Sequence, residues 1–127
     1  MPTIRQGEAK VTYYDFQPSE LQDTDLPKCV RAFARDSATQ VGLIASICVP
    51  IPYQGVGVGS NLLNQALSAM EKDCDRVWLT VDPREGVERR IRWYTRFGFR
   101  VLGQRKYRFC GSGESVTEVF MGLEFPF

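Results

Sequence analysis

The chain has 127 residues, 43% hydrophobic and 24% charged, with a formal net charge of +1. These values suit one compact water-soluble domain spanning 1–127, and they provide no global field to draw in nucleic acid or an anionic membrane. No apolar run approaches the roughly 20 residues of a membrane helix, and the start Met1–Glu8 lacks the apolar core of a signal peptide. Histidine is absent, which excludes His-based metal sites and the Ser-His-Asp and Cys-His forms of catalysis. Cys29, Cys48, Cys74 and Cys110 form no CxxC pair, so no metal site is expected, and reduced thiols in a cytoplasmic protein are the simplest reading.

Taken in order, Lys10 to Phe16 alternates and carries Val, Thr and Tyr, which predicts a strand. The polar run Gln17–Asp25 reads as a connection. Leu26 to Arg35 fits two periods. Leu26, Cys29, Val30 and Phe33 share a helical face, whereas Cys29, Arg31, Phe33 and Arg35 alternate against Val30, Ala32 and Ala34 as in a strand; the strand is the expectation. Val41 to Val49 is apolar nearly throughout, the pattern of a central strand covered on both faces.

Gln54-Gly55-Val56-Gly57-Val58-Gly59-Ser60 then turns into a segment whose Leu62, Leu63, Ala66, Leu67 and Met70 form one apolar helical face. Ser60 or Asn61 would cap that helix. Arg76 to Asp82 reads as a second buried strand, stopped by Pro83. From Val87 to Phe97 the helical period returns, with Val87, Ile91, Tyr94 and Phe97 inward and Arg89, Arg92 and Arg96 outward. Gly98 would close it. Arg100–Phe109 and Val116–Phe125 complete a hairpin across the turn Cys110–Glu114. The whole is a mixed α/β fold with antiparallel N-terminal strands, a central parallel strand pair, two main helices and a C-terminal hairpin.

A strand entering a glycine turn and then a helix is a device for binding phosphate, because bare amides and the positive helix end converge on the anion. A P-loop would need a lysine after Gly59, and none follows. A dinucleotide turn would need glycine where Ser60 stands, with an acid about 20 residues on, nearer than Asp82. A ligand-free connection would hardly need three glycines, each costing conformational entropy.

Gln54–Gly59 resembles the [RQ]-x-x-G-x-[GA] signature of the GNAT superfamily of acetyl-CoA-dependent N-acetyltransferases. Trp93-Tyr94-Thr95-Arg96-Phe97-Gly98-Phe99 is similar to that family's [LF]-Y-x-x-x-G-F segment, and Val119–Leu123 looks like its last strand. The resemblance covers roughly residues 41–125. It implies acetyl-CoA as co-substrate without a metal, and direct transfer to a primary amine in a ternary complex. Val49 would end the strand that pairs with the pantetheine arm. Gln54, Gly55, Val56, Gly57, Val58, Gly59 and Ser60 would wrap the pyrophosphate, and Tyr94 would protonate the departing thiolate.

An oxyanion donor is expected at the Val49 or Ile51 amide, since Pro50 and Pro52 have none. No base stands out. Asp82, Glu85 and Glu88 read first as cap or solvated charge, and water can carry the proton. The arginines of residues 84–108 read as a solvated face, with one or two available for the 3′-phosphate of coenzyme A or an acidic acceptor. Three positions depart from the family: Gln54 stands where arginine is commoner, and the frequent Asn and Ala before the tyrosine fall on Val87 and Arg90. About fifty residues precede Gln54, too few for the family's usual first strand and two helices plus the strands read here. An open acceptor site for a protein or bulky amine, or a homodimer whose second copy supplies a wall, is the corresponding expectation. The alternative is an acyl-CoA-binding module with weak or no catalysis.

Overall fold

The computed structural model describes residues 3–21, 26–81, 83, 86–108 and 115–125. Its strands are β1 (Thr3–Gln6), β2 (Ala9–Phe16), β3 (Gln40–Cys48), β4 (Cys74–Val81), β5 (Arg100–Arg108) and β6 (Ser115–Glu124). Its helices are α1 (Lys28–Arg35), α2 (Val58–Met70) and α3 (Val87–Arg96). The six strands form one sheet in the order β1-β2-β3-β4-β6-β5. Only β3 and β4 run parallel, joined by the crossover α2 as parallel neighbours require.

Both faces of the sheet are covered. On one, Leu62, Leu63, Ala66 and Met70 of α2 pack on Val11, Val77, Leu79, Val81 and Met121, with Ile91 and Tyr94 of α3 against them. On the other, Val30, Phe33 and Ala34 of α1 pack on Val41, Trp78 and Phe120.

Residues 28–35 are therefore a helix and not the expected strand. Sequence left both periods open, and the opposing surface decides between them. A Cβ on Gly103 would lie 2.8 Å from Cys29 Sγ, and one on Gly122 would lie 2.8 Å from Phe33 Cζ. These bare positions on β5 and β6 let a cylinder seat with Cys29 and Phe33 pointing down, one turn apart. The Arg76 guanidinium then stacks over the Phe33 ring at 5.1 Å and donates to the Phe33 carbonyl at 3.4 Å.

The expectation that β3 is covered on both faces holds only for its first half. Val41, Gly42 and Ile44 are buried, but Ala45, Ser46 and Cys48 are exposed. Pairing with β4 runs from Gln40↔Cys74 to Leu43↔Trp78 and stops, whereas β2 follows β3 as far as Lys10↔Cys48. A bulge assists the departure: Thr12 faces Ser46 and Tyr13 faces Ile44, leaving Ala45 unpaired. Beyond Leu43 the two parallel strands part.

Where they still pair, a polar peg fixes the base. Asp75 is buried, and its carboxylate accepts hydrogen bonds from the Ser37 hydroxyl, the Ala38 amide (2.7 Å) and the Thr39 hydroxyl (3.2 Å). Burial alone would raise the Asp75 pKa, but these donors prevail and hold it below the ordinary value. The peg ties the loop after α1 to the start of β4. Beside it the Cys74 thiol donates to Asp15 at 3.2 Å, and burial pushes that thiol far above its ordinary range, so it is inert.

Candidate functional site

The parting of β3 and β4 opens a cleft of about 670 Å³ on the α2–α3 side of the sheet. Its walls come from three places. Ile47 and Val49 stand at the end of β3, Tyr53 to Ser60 run through the turn into α2, and Arg90, Trp93 and Tyr94 project from α3.

The turn is built by a few local constraints. Pro50 and Pro52 bend the chain out of β3 into a short 3-10 turn, Ile51–Tyr53. The Gln54 side chain then reaches back, its Nε2 donating to the Val49 carbonyl at 2.9 Å. Gly55 and Gly57 follow in the left-handed region, with φ +78° and +82°, where a β-carbon is strained. A Cβ on either would meet nothing within 4 Å, so bare backbone there borders open space. Gly57 is the residue that caps α2, and no side chain caps that helix. The expected caps are employed elsewhere: Ser60 Oγ accepts from Trp93 Nε1 at 3.3 Å, and Asn61 Nδ2 donates to Gln6 Oε1 at 3.3 Å.

The consequence is electrostatic. The first hydrogen bond of α2 is from the Asn61 amide to the Gly57 carbonyl at 3.0 Å. Among the described residues, the amides from Gly55 to Ser60 have no backbone acceptor. Uncapped amides at a helix N-terminus carry a partial positive charge, and the surrounding cleft lets an anion reach them. A pyrophosphate fits this cradle, which has donors, open backbone and no competing carboxylate among its lining residues.

The open edge of β3 beyond Leu43 is the second feature. An edge strand presents alternating N–H and C=O groups to any extended chain of amides laid beside it. Across the cleft, Tyr94 packs edge-on against Trp93 and Phe99, with centroids 5.1 and 5.9 Å away. Trp93 also lies over Gly59, where a Cβ would sit 3.7 Å from the indole. Val49 Cγ2 would lie 3.4 Å from the same point, so a methyl at 59 would make ordinary contacts with both walls.

Of the sequence-derived candidates, the cleft gathers Val49, Gln54, Gly55, Gly57, Val58, Gly59, Ser60 and Tyr94. Val56 does not line it and is 71% exposed. Ile51, one of two expected oxyanion donors, is 83% exposed and also lies off the cleft, leaving Val49 at its wall. Glu88 is exposed, while Asp82, Arg84, Glu85 and the turn 110–114 lie outside the described residues. Sequence reasoning missed Ile47, Tyr53 and Trp93 as lining residues, and it held Arg90 only as one of the arginines of residues 84–108. Trp93 and Arg90 share a helix with Tyr94, at one residue and one turn before it, and that spacing was the available signal. Among the described residues, no His, Cys, Asp and Glu cluster could hold a metal, and no helix is long and apolar enough to cross a membrane.

Residues 26–99 match the family model of the acetyltransferase (GNAT) family, and the chain belongs to that family. No curated protein matches it in sequence. Among solved structures, Arabidopsis thaliana NAA60 in complex with a bisubstrate analogue aligns with a TM-score of 0.70 at 18% identity, over 93% of this chain and 65% of that one. Arabidopsis thaliana Naa50, bound to the bisubstrate analogue CoA-Ac-MVNAL, gives 0.63 at 21%, over 92% and 65%. A Bacillus subtilis acetyltransferase in complex with CoA gives 0.63 at 14%, over 98% and 75%. The chain thus spans 65% of the length of either Arabidopsis protein.

Proposed function

We propose that this chain, acting as one domain over residues 1–127, transfers the acetyl group of acetyl-CoA to a primary amine by direct attack in a ternary complex. The observation that carries the reading is the run of unpartnered amides from Gly55 to Ser60, opening into the same cleft as Tyr94. In this reading those amides, with Gln54 bracing the turn, hold the pyrophosphate. The free edge of β3, ending at Val49, takes the pantetheine amides. Bound acetyl-CoA supplies an activated acyl carbon. The amine nitrogen bonds to that carbon as the C–S bond breaks, Tyr94 gives its phenolic proton to the leaving sulfur, the proton shed by the amine passes to water, and water returns a proton to the Tyr94 phenolate.

The N-terminal amine of a peptide is the first acceptor to try, in keeping with the bisubstrate analogue carried by the similar Naa50 fold. A homodimer belongs to the same reading, since Ala45, Ser46 and Cys48 leave the outer face of β3 exposed for a second copy to wall. A cytoplasmic setting agrees with the free thiols of Cys29, Cys48 and Cys74.

The test pairs calorimetry with acetyl-CoA and thiol release over a panel of peptides, polyamines and small amines. Tyr94→Phe should keep coenzyme affinity and lower turnover about 10- to 100-fold. Binding without turnover on any acceptor would favour a binding module, and absence of binding would reject the proposal entirely.

A further inference from the structure

Helix α3 carries four arginines, and they are not equivalent. Arg89, Arg92 and Arg96 are exposed, as charged residues on an outer helix face should be. Arg90 is half-buried and lines the cleft with the glycine turn, Trp93 and Tyr94. It sits within the first turn or so of α3, where the macrodipole disfavours a cation. Glu88, also in that turn, is the charge the dipole prefers.

The backbone makes room for it. Gly86 precedes α3 with φ +88°, and a Cβ there would lie 3.3 Å from Arg90 Nη1. The guanidinium is therefore folded back toward the N-terminal end of α3. Since α2 and α3 both follow the carboxyl ends of the parallel strands, the glycine turn stands at that same end of the sheet. Backbone donors occupy one side of the opening and a guanidinium the other.

We propose that Arg90 is a positioning residue for the coenzyme, contacting a phosphate from across the cleft. Bare amides offer partial charges from one direction, and a planar guanidinium adds a full charge and paired donors from another. Its guanidinium, folded toward the start of α3, is set apart from Tyr94, the group assigned to the leaving sulfur. The inference rests on the coenzyme reading above. Both the pyrophosphate and the 3′-phosphate share the required chemistry, and ligand truncation separates them.

Calorimetry on the full chain compares wild type, Arg90→Gln and Arg90→Lys, each with coenzyme A, 3′-dephospho-coenzyme A and pantetheine. Arg90→Gln should weaken coenzyme A binding about tenfold, a loss typical of one charged hydrogen-bonded contact. Arg90→Lys should lose less, and pantetheine should bind all three proteins alike. A glutamine penalty that disappears with the dephospho ligand assigns the 3′-phosphate, and one that persists assigns the pyrophosphate. Equal coenzyme A affinity in wild type and Arg90→Gln overturns the inference, as does a penalty of the same size on pantetheine. Wild type that binds no coenzyme A rejects the functional reading itself, so the two failures remain distinct. Should Arg90→Gln melt early, Arg90→Lys decides: its affinity must fall for coenzyme A while holding for pantetheine.

Discussion

The two halves of β3 contrast across only nine residues. From Val41 to Leu43 the strand is paired on both sides, and Gln40 before them pairs with Cys74 beside the Asp75 peg. From Ile44 to Cys48 it keeps only its β2 partner, and it ends in a turn whose amides find no acceptor. Neighbouring strands use both edges of the first half, whereas the second half leaves the edge on the β4 side without a strand partner. In the proposed reading, stability and binding fall to adjacent stretches of one strand, with the closed half holding the open half in register.

If that division is real, substitutions should sort by half. The largest effect is expected at the open end. Gly57→Glu should reduce coenzyme affinity more than 100-fold, because a carboxylate would enter the anion site and meet the helix N-terminus itself. The fold should survive, with about 1–2 kcal/mol lost to the left-handed φ. Calorimetry and a melting curve on the same sample check both halves of the statement, and intact binding would dissolve the cradle.

At the closed end, Asp75→Ala should cost about 3 kcal/mol by stranding the Ala38 amide and the Ser37 and Thr39 hydroxyls. Urea titration reads this, while coenzyme affinity of the folded protein should move little. The same residue sets a pH dependence. Its folded pKa lies below the ordinary 3.8, so its contribution is fully present above about pH 5 and is lost as pH falls through the folded value. Wild type should therefore show a steeper acid limb than Asp75→Ala, and parallel limbs would count against the peg. The smallest effect is expected under α1. Gly122→Ala would push a methyl within 2.8 Å of Phe33 Cζ and should cost about 1–2 kcal/mol without altering coenzyme affinity.

The sequence by itself determined where the glycine turn and most of the elements around the cleft lie. Local signals sufficed for the glycine turn, the apolar face Leu62–Met70 and the Val87–Phe97 period, because backbone freedom and helical spacing are written in consecutive residues. β1 escaped notice because four residues, Thr3–Gln6, show too little pattern to register. Helix α1 was misread because eight residues satisfy either period, and Gly103 and Gly122, about seventy to ninety positions away, settle the matter. The caps of α2 were misassigned for a similar reason, as Trp93 and Gln6 engage Ser60 and Asn61 from other elements. Only the tertiary structure decided that β3 and β4 part after Leu43, and that Arg90, unlike its helix neighbours, turns into the resulting cleft. A splay between strands is a property of two chains of hydrogen bonds in space, and no single stretch of sequence contains it.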